Sequence, residues 1–197
     1  MKSTIRVSMA TLSMAALLGS TMTYALDNGS TSAENLVRAM RTDQFALQGT
    51  LAAYLKKSDT ASGAMFTDAQ RQDFLRCLED TDTSSIVRVL ASVLVQQLSL
   101  SEMQQALAFY DSSAGKKQIR RDLSEMQKML GFELAAASPE LSGKERTSLS
   151  RFKGAPVYAK LQEFPARVRE TPEIRKAILQ GSESAAVACS QALGLER

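Results

Sequence analysis

The sequence predicts an all-α chain: a single-domain helical bundle of about six to eight helices. Three observations carry this. Helix-start grammar recurs along the chain, apolar residues recur at three- and four-residue spacing, and sustained period-2 alternation is absent, as is any hairpin dipeptide between strand-like runs. No proline occurs before residue 139, so nothing breaks a helix over most of the length.

Taken in order, the N-terminus has the form of a secretory signal peptide. Lys2 and Arg6 give a positive start, Val7–Gly19 is a 13-residue apolar run, and small residues at Thr23 and Ala25 place cleavage after Ala25. The run is shorter than the roughly 20 apolar residues that span a bilayer. No cysteine follows it to carry a lipid anchor. The expected division is therefore a cleaved segment, 1–25, and a periplasmic helical domain, 26–197. Cleavage leaves 172 residues and takes two basic residues and no acid, so the formal charge falls from +3 to +1. That balance argues against a nucleic-acid partner, which needs a strong basic excess. Four of the nine methionines leave too, so no Met-rich binding surface of the calmodulin kind remains.

Residues 26–32 are polar and are expected to form a frayed leader. Thr31 with Glu34, Thr67 with Gln70, Ser99 with Glu102, and Ser142 with Glu145 all fit the capping box, in which a hydroxyl and an acid or amide three residues on cover each other's orphan amides. Thr171-Pro172-Glu173 is a different start, an N-cap followed by proline at the first helical position. Between these marks run the helical stripes. Leu36, Val37, Met40, Leu47, Leu51 and Leu55 form one; Phe74, Leu75 and Leu78 another; Leu123, Met126, Leu130 and Leu134 a third. Ile86–Leu98 is strongly apolar but interrupted by Arg88, Gln96 and Gln97 and too short to span, so it is expected to be a core helix and the mature chain to have no transmembrane segment. Ile174, Ile178, Ala185 and Cys189 trace the last helix, which Gly181-Ser182 should weaken.

A faint repeat runs at an offset of 43 residues. Leu98, Ser99, Glu102, Phe109 and Lys117 match Leu141, Ser142, Glu145, Phe152 and Lys160. Each copy is a capped helix, an aromatic, a small-residue turn and a second helix, so a helix–turn–helix unit is used twice, around residues 98–161. Two copies fall short of a solenoid, which needs about three.

Ser99 and Glu102, then Phe109 and Tyr110, the turn serines Ser112 and Ser113, Gly115, and the basic Lys116 and Lys117 form one continuous motif. Through these residues the stretch Leu98–Arg121 resembles a family of exported bacterial helical proteins called domain of unknown function 2059. Family members often have Ser-Pro in the turn. Here it is Ser112-Ser113, while the second copy has Ala155-Pro156. The resemblance implies an all-helical periplasmic fold. It brings no activity and no catalytic residues.

Several chemistries are excluded or weakened by residue type. There is no histidine, which removes Ser-His-Asp and Cys-His catalysis, histidine-ligated metals and histidine proton shuttles. Two cysteines do not build a cysteine-rich zinc site. No cofactor or metal site is expected. Ser113 and Lys116 have the Ser-x-x-Lys spacing of penicillin-recognising enzymes, but the accompanying Ser-Asp-Asn and Lys-Thr-Gly elements are missing. Glu79, Asp80 and Asp82 lack the alternation and the glycine of a calcium loop. Cys77 and Cys189 allow one intramolecular pairing, and an oxidising compartment favours it. The alternatives are two buried free thiols or, last, a reactive site, for which neither a CxxC motif nor a histidine is present.

Function is not legible at the level of a reaction. The best surface feature is the basic cluster Lys116, Lys117, Arg120 and Arg121 with Tyr110 beside it, suited to an envelope protein or an anionic envelope component. A second group, Arg167, Arg169, Arg175 and Lys176, is mixed with Glu170 and Glu173. The expected function is a non-enzymatic interaction or envelope-associated module. A carrier of a small apolar ligand between helices is the alternative, and an enzyme comes last.

Overall fold

The computed structural model describes residues 15–50, 67–129 and 139–194, with side chains from Asn28 onward except that of Asp68. All regular structure among the described residues is helical, in nine segments: α1 Ala15–Met40, α2 42–50, α3 Asp68–Glu79, α4 Ser84–Gln97, α5 Leu100–Tyr110, α6 Ser113–Met129, α7 Gly143–Lys153, α8 Pro156–Glu170 and α9 Pro172–Ala192. The count is slightly above the expectation because α1 and α2 form one apolar stripe folded at a corner. Arg41 takes a left-handed conformation there, with φ of 53°, which an L-residue adopts only at a cost. The signal-like residues 1–14, together with Leu51, Leu55, Leu130 and Leu134 of the expected stripes, lie outside the described residues.

Helix α4 is the centre. Ile86, Val87, Leu90, Ala91, Val93 and Leu94 are all buried, which is why its sequence is apolar nearly all round. The Ala33, Leu36, Val37 and Met40 stripe of α1 is buried in the same core, and α1 packs on α4 and α5. Helix α9 lies across α3 and α4, and α8 fills between α4, α5 and α9. No helix among the described residues is long and apolar enough to cross a membrane.

Three of the four capping boxes form as expected. Thr67, Ser99 and Ser142 each accept from the amide three residues on, and Gln70, Glu102 and Glu145 reach back. The fourth does not. Thr31 sits inside α1, which runs unbroken through Ala25 and through the polar 26–32 stretch that was expected to fray. No proline interrupts this stretch, and Ala33, Leu36 and Val37 anchor the next turns at 0% exposure, so the helix continues through polar residues on tertiary packing. The Gly181-Ser182 weakness is also absent. Glycine there permits close approach: a Cβ at Gly181 would sit 2.9 Å from Ile86 Cγ1, so α9 stays helical and rides directly on α4. At the start of α9, Pro172 occupies the first turn as expected, but the Thr171 hydroxyl turns back to donate to the Arg167 carbonyl at 2.9 Å.

Candidate functional site

The two repeat copies fold alike and dock on each other. Copy one is α5–α6 and copy two is α7–α8. Phe109 and Phe152, equivalent at the 43-residue offset, stack face to face with centroids 4.0 Å apart and planes 8° apart. Around this stack the charged residues exchange. Lys160 of copy two pairs with Glu102 of copy one at 2.6 Å, and Lys117 of copy one pairs with Glu145 of copy two at 2.8 Å. Each lysine reaches the capping-box acid of the other copy. This is the contact rule of a two-fold interface, in which residue i meets j and j meets i, here built within one chain.

The two turns solve one problem differently. In copy one Ser112 accepts from the Gly115 amide at 3.2 Å, a side-chain cap. In copy two Ala155 has no side chain to cap, and Pro156 opens α8 instead. Gly115 is required by its neighbours: a Cβ there would lie 2.6 Å from Tyr110 Cα, against the backbone of the preceding helix.

The exchanged pairs set the local electrostatics. The Glu102 carboxyl is lowered to about 2, first by the Lys160 hydrogen bond and then by the Ser99 amide and hydroxyl. Glu145 is likewise lowered to about 2, by Lys117, then the Ser113 hydroxyl, then the Ser142 amide. Ser113 donates to Glu145 at 2.5 Å. A carboxylate held so low is a weak base at neutral pH, so Ser113, Lys117 and Glu145 form a clasp between the copies. The Ser113–Lys116 spacing makes no dyad, because the hydroxyl is held by Glu145 and Lys116 points to solvent.

The basic cluster divides. Lys116 and Arg120 are exposed, one helical turn apart on α6, and among the described residues neither has an ion-pair or side-chain hydrogen-bond partner. Arg121 is half-buried beside Asp122, whose carboxyl is pushed up by burial and pulled back by the Gln118 hydrogen bond. Lys117 is consumed by Glu145 and by the Glu140 carbonyl at 3.2 Å. Tyr110, expected at the surface, is only 8% exposed. It packs edge-on against Phe109 and Phe152 with centroids at 5.2 and 5.5 Å, and burial raises its hydroxyl well above the ordinary range. Tyr110 therefore supports the platform from beneath. The free part of the site is Lys116 and Arg120, with Arg121 at its edge.

Cys77 and Cys189 are joined in a disulfide that ties α3 to α9, with Cα atoms 5.8 Å apart across 112 positions. Cys189 is wholly buried, and Thr81 Oγ1 lies 3.5 Å from its sulfur. Chain-entropy reasoning for a loop of roughly 100 residues gives about 4.7 kcal/mol as an upper figure.

The exchange of lysines is the feature that sequence reasoning missed. Its signal was present: Glu102 to Glu145 and Lys117 to Lys160 share one offset, and equal offsets in two acids and two bases are what a reciprocal pairing requires. Residues 84–142 match the family model described as uncharacterized protein conserved in bacteria (DUF2059), in agreement with the resemblance carried by Leu98–Arg121. The match covers α4, α5 and α6 and ends at the cap of α7, so copy one lies within it and copy two, which docks on copy one, follows it. No curated protein and no solved structure matches the chain.

Proposed function

We propose that this chain is an exported, non-enzymatic interaction module of the bacterial envelope, and that it docks an acidic partner through the Lys116–Arg120 edge of α6. Residues 1–25 act as the export signal and are removed. The observation that carries the reading is the division of the basic cluster. Lys117 and Lys160 are spent on holding the duplicated unit together, whereas Lys116 and Arg120 stand free on a helix whose position is fixed by the Phe109–Phe152 stack and by Gly115. Two cations one turn apart on a rigid helix suit the carboxylates of an envelope protein or the phosphates of an anionic envelope component. The disulfide supports an oxidising compartment.

The test is site-specific photo-cross-linking in the native envelope. A photoreactive residue at position 120 is expected to capture one defined component, and K116E is expected to abolish the capture. The same probe at Glu183, exposed on α9 outside the duplicated unit, should capture nothing in common with it. Equal capture at both positions, or capture indifferent to K116E, would overturn the reading.

A further inference from the structure

Helix α1 reaches the core late in its length. Ala33, Leu36 and Val37 are wholly buried, but none of residues 28–32 is: Asn28, Ser30 and Thr31 are exposed, and Gly29 and Ser32 are half-buried. Asn28, Gly29, Ser30, Thr31 and Ser32 all rank low as helix formers, and with so little of the stretch buried there is little tertiary packing to offset that. In the full-length chain this stretch is held from both ends. In an unbroken α-helix the amides of residues 26–29 bond the carbonyls of residues 22–25. Cleavage after Ala25 removes all four acceptors and leaves a new α-ammonium group on Leu26. A helix still running to that end would set this positive charge against the positive pole of its own dipole.

We infer that removal of residues 1–25 moves the start of α1 to Thr31, where Thr31 and Glu34 close the capping box that has no helix end to cap in the full-length chain. The inference rests on the export reading proposed above and uses none of the residues of the α6 edge. Asp27, Asn28, Ser30, Thr31 and Ser32 are all of the N-capping type. The residues three positions after them are Ser30, Thr31, Ala33, Glu34 and Asn35, so Thr31 alone has the acid that covers the cap amide in return. A start at Asp27 or Asn28 keeps Gly29 inside the helix at a cost, whereas a start at Thr31 leaves it outside. A start at Thr31 also gives up no buried contact, because Ala33 becomes the second residue of the helix and Leu36 and Val37 follow in place. Residues 26–30 become a free leader ahead of the fixed bundle. The full-length and the processed chain thus use different starts for one helix, and the processing step sets which.

The test compares two oxidised forms in one buffer: the chain recovered from its own envelope, and the full-length chain synthesised from purified components without a processing peptidase. Hydrogen exchange is read amide by amide. In the recovered chain the amides of residues 27–33 are expected to exchange as unstructured chain does, and those of Glu34 and Asn35 at least about tenfold more slowly. Thr31→Ala is expected to lower the folding equilibrium constant of the recovered chain about fivefold, and Thr31→Ser to preserve it. In the full-length chain, where position 31 is helix interior, Thr31→Ala is expected to be neutral or stabilising, because alanine is the better helix former. The sign of that one substitution therefore reverses between the two forms. Slowed exchange over 27–31 in the recovered chain, or a Thr31→Ala effect of the same sign and size in both forms, would overturn the inference. The intact mass separates this failure from failure of its premise. A recovered chain that keeps residues 1–25 rejects the export reading and the inference with it, whereas a chain beginning at Leu26 with slowed exchange over 27–31 rejects the inference alone.

Discussion

Gly115→Ala is the sharpest perturbation of the platform beneath the basic edge. Alanine is at most about 1 kcal/mol better than glycine in a helix. Against that gain, the added Cβ would sit 2.6 Å from Tyr110 Cα and 2.9 Å from the Phe109 carbonyl carbon, where carbon atoms prefer about 3.5–4.0 Å. Helix α5 must retreat by roughly 1 Å to restore ordinary contact. Both atoms are backbone, so no side chain can swing aside, and Phe109 is held by its stack on Phe152. Overpacking costs about 1–3 kcal/mol, and a site with no soft neighbour belongs at the upper end. The net expectation is a loss of about 2 kcal/mol. Gly154→Ala is the matched control. It caps the C-terminal end of α7 in the turn of copy two, where the nearest atom to a Cβ is 3.6 Å away, and it should be neutral or stabilising by about 0.5 kcal/mol. Urea unfolding of the oxidised protein, followed by circular dichroism, measures both. A Gly115→Ala midpoint equal to wild type would refute the close approach of α6 to the end of α5.

The remaining expectations concern the bond, the ion pairs and the two helix faces. Replacing Cys77 and Cys189 together by alanine should lower stability by up to about 4 kcal/mol, read as a fall in the urea midpoint; an unchanged midpoint would mean that the tie between α3 and α9 adds nothing. Because the folded-state values of Glu102 and Glu145 are depressed to about 2, their contribution is present above the ordinary carboxylate value near 4.5 and is lost as pH falls from there towards 2. The melting temperature should therefore decline over that window, and less steeply in E102Q/E145Q; parallel curves would reject the reciprocal pairs as its source. Gly181→Ala should be destabilising alone and less so in an Ile86→Ala background, because the obstructing atoms are the Ile86 Cγ1 and Cδ1, both of which that change removes. Additive effects in that double-mutant cycle, within about 0.5 kcal/mol, would place the contact elsewhere. K116E/R120E should leave the melting temperature unchanged, since both side chains are exposed and unpaired.

Local signals were legible where a few neighbouring residues decide the outcome. Ser99 with Glu102 and Ser142 with Glu145 start helices at those residues because the capping box is complete within four positions. The same grammar at Thr31 and Glu34 misled, because a capping box competes with a helix already running through it, and Leu36 and Val37 hold that helix from the following turn. Gly181 misled for a related reason. Its low helix propensity is a local cost, whereas its lack of a side chain is a gain only once Ile86 of α4 is known to lie against it. The site was half legible. The basic run on α6 can be read directly, but the loss of Lys117 to Glu145 and of Tyr110 to the aromatic stack depends on how copy two docks.

The central claim is that the free edge of α6 is the docking surface of an exported, disulfide-tied module. Native mass spectrometry of the protein recovered from its own envelope without reductant tests it most directly, run side by side on wild type and K116E/R120E. The account predicts a chain beginning at Leu26 and lighter than its reduced form by about 2 Da, the two hydrogens lost on forming the bond. It predicts a bound companion on the wild type and none on the variant. A companion retained by K116E/R120E, or a wild-type chain that flies alone, would contradict it.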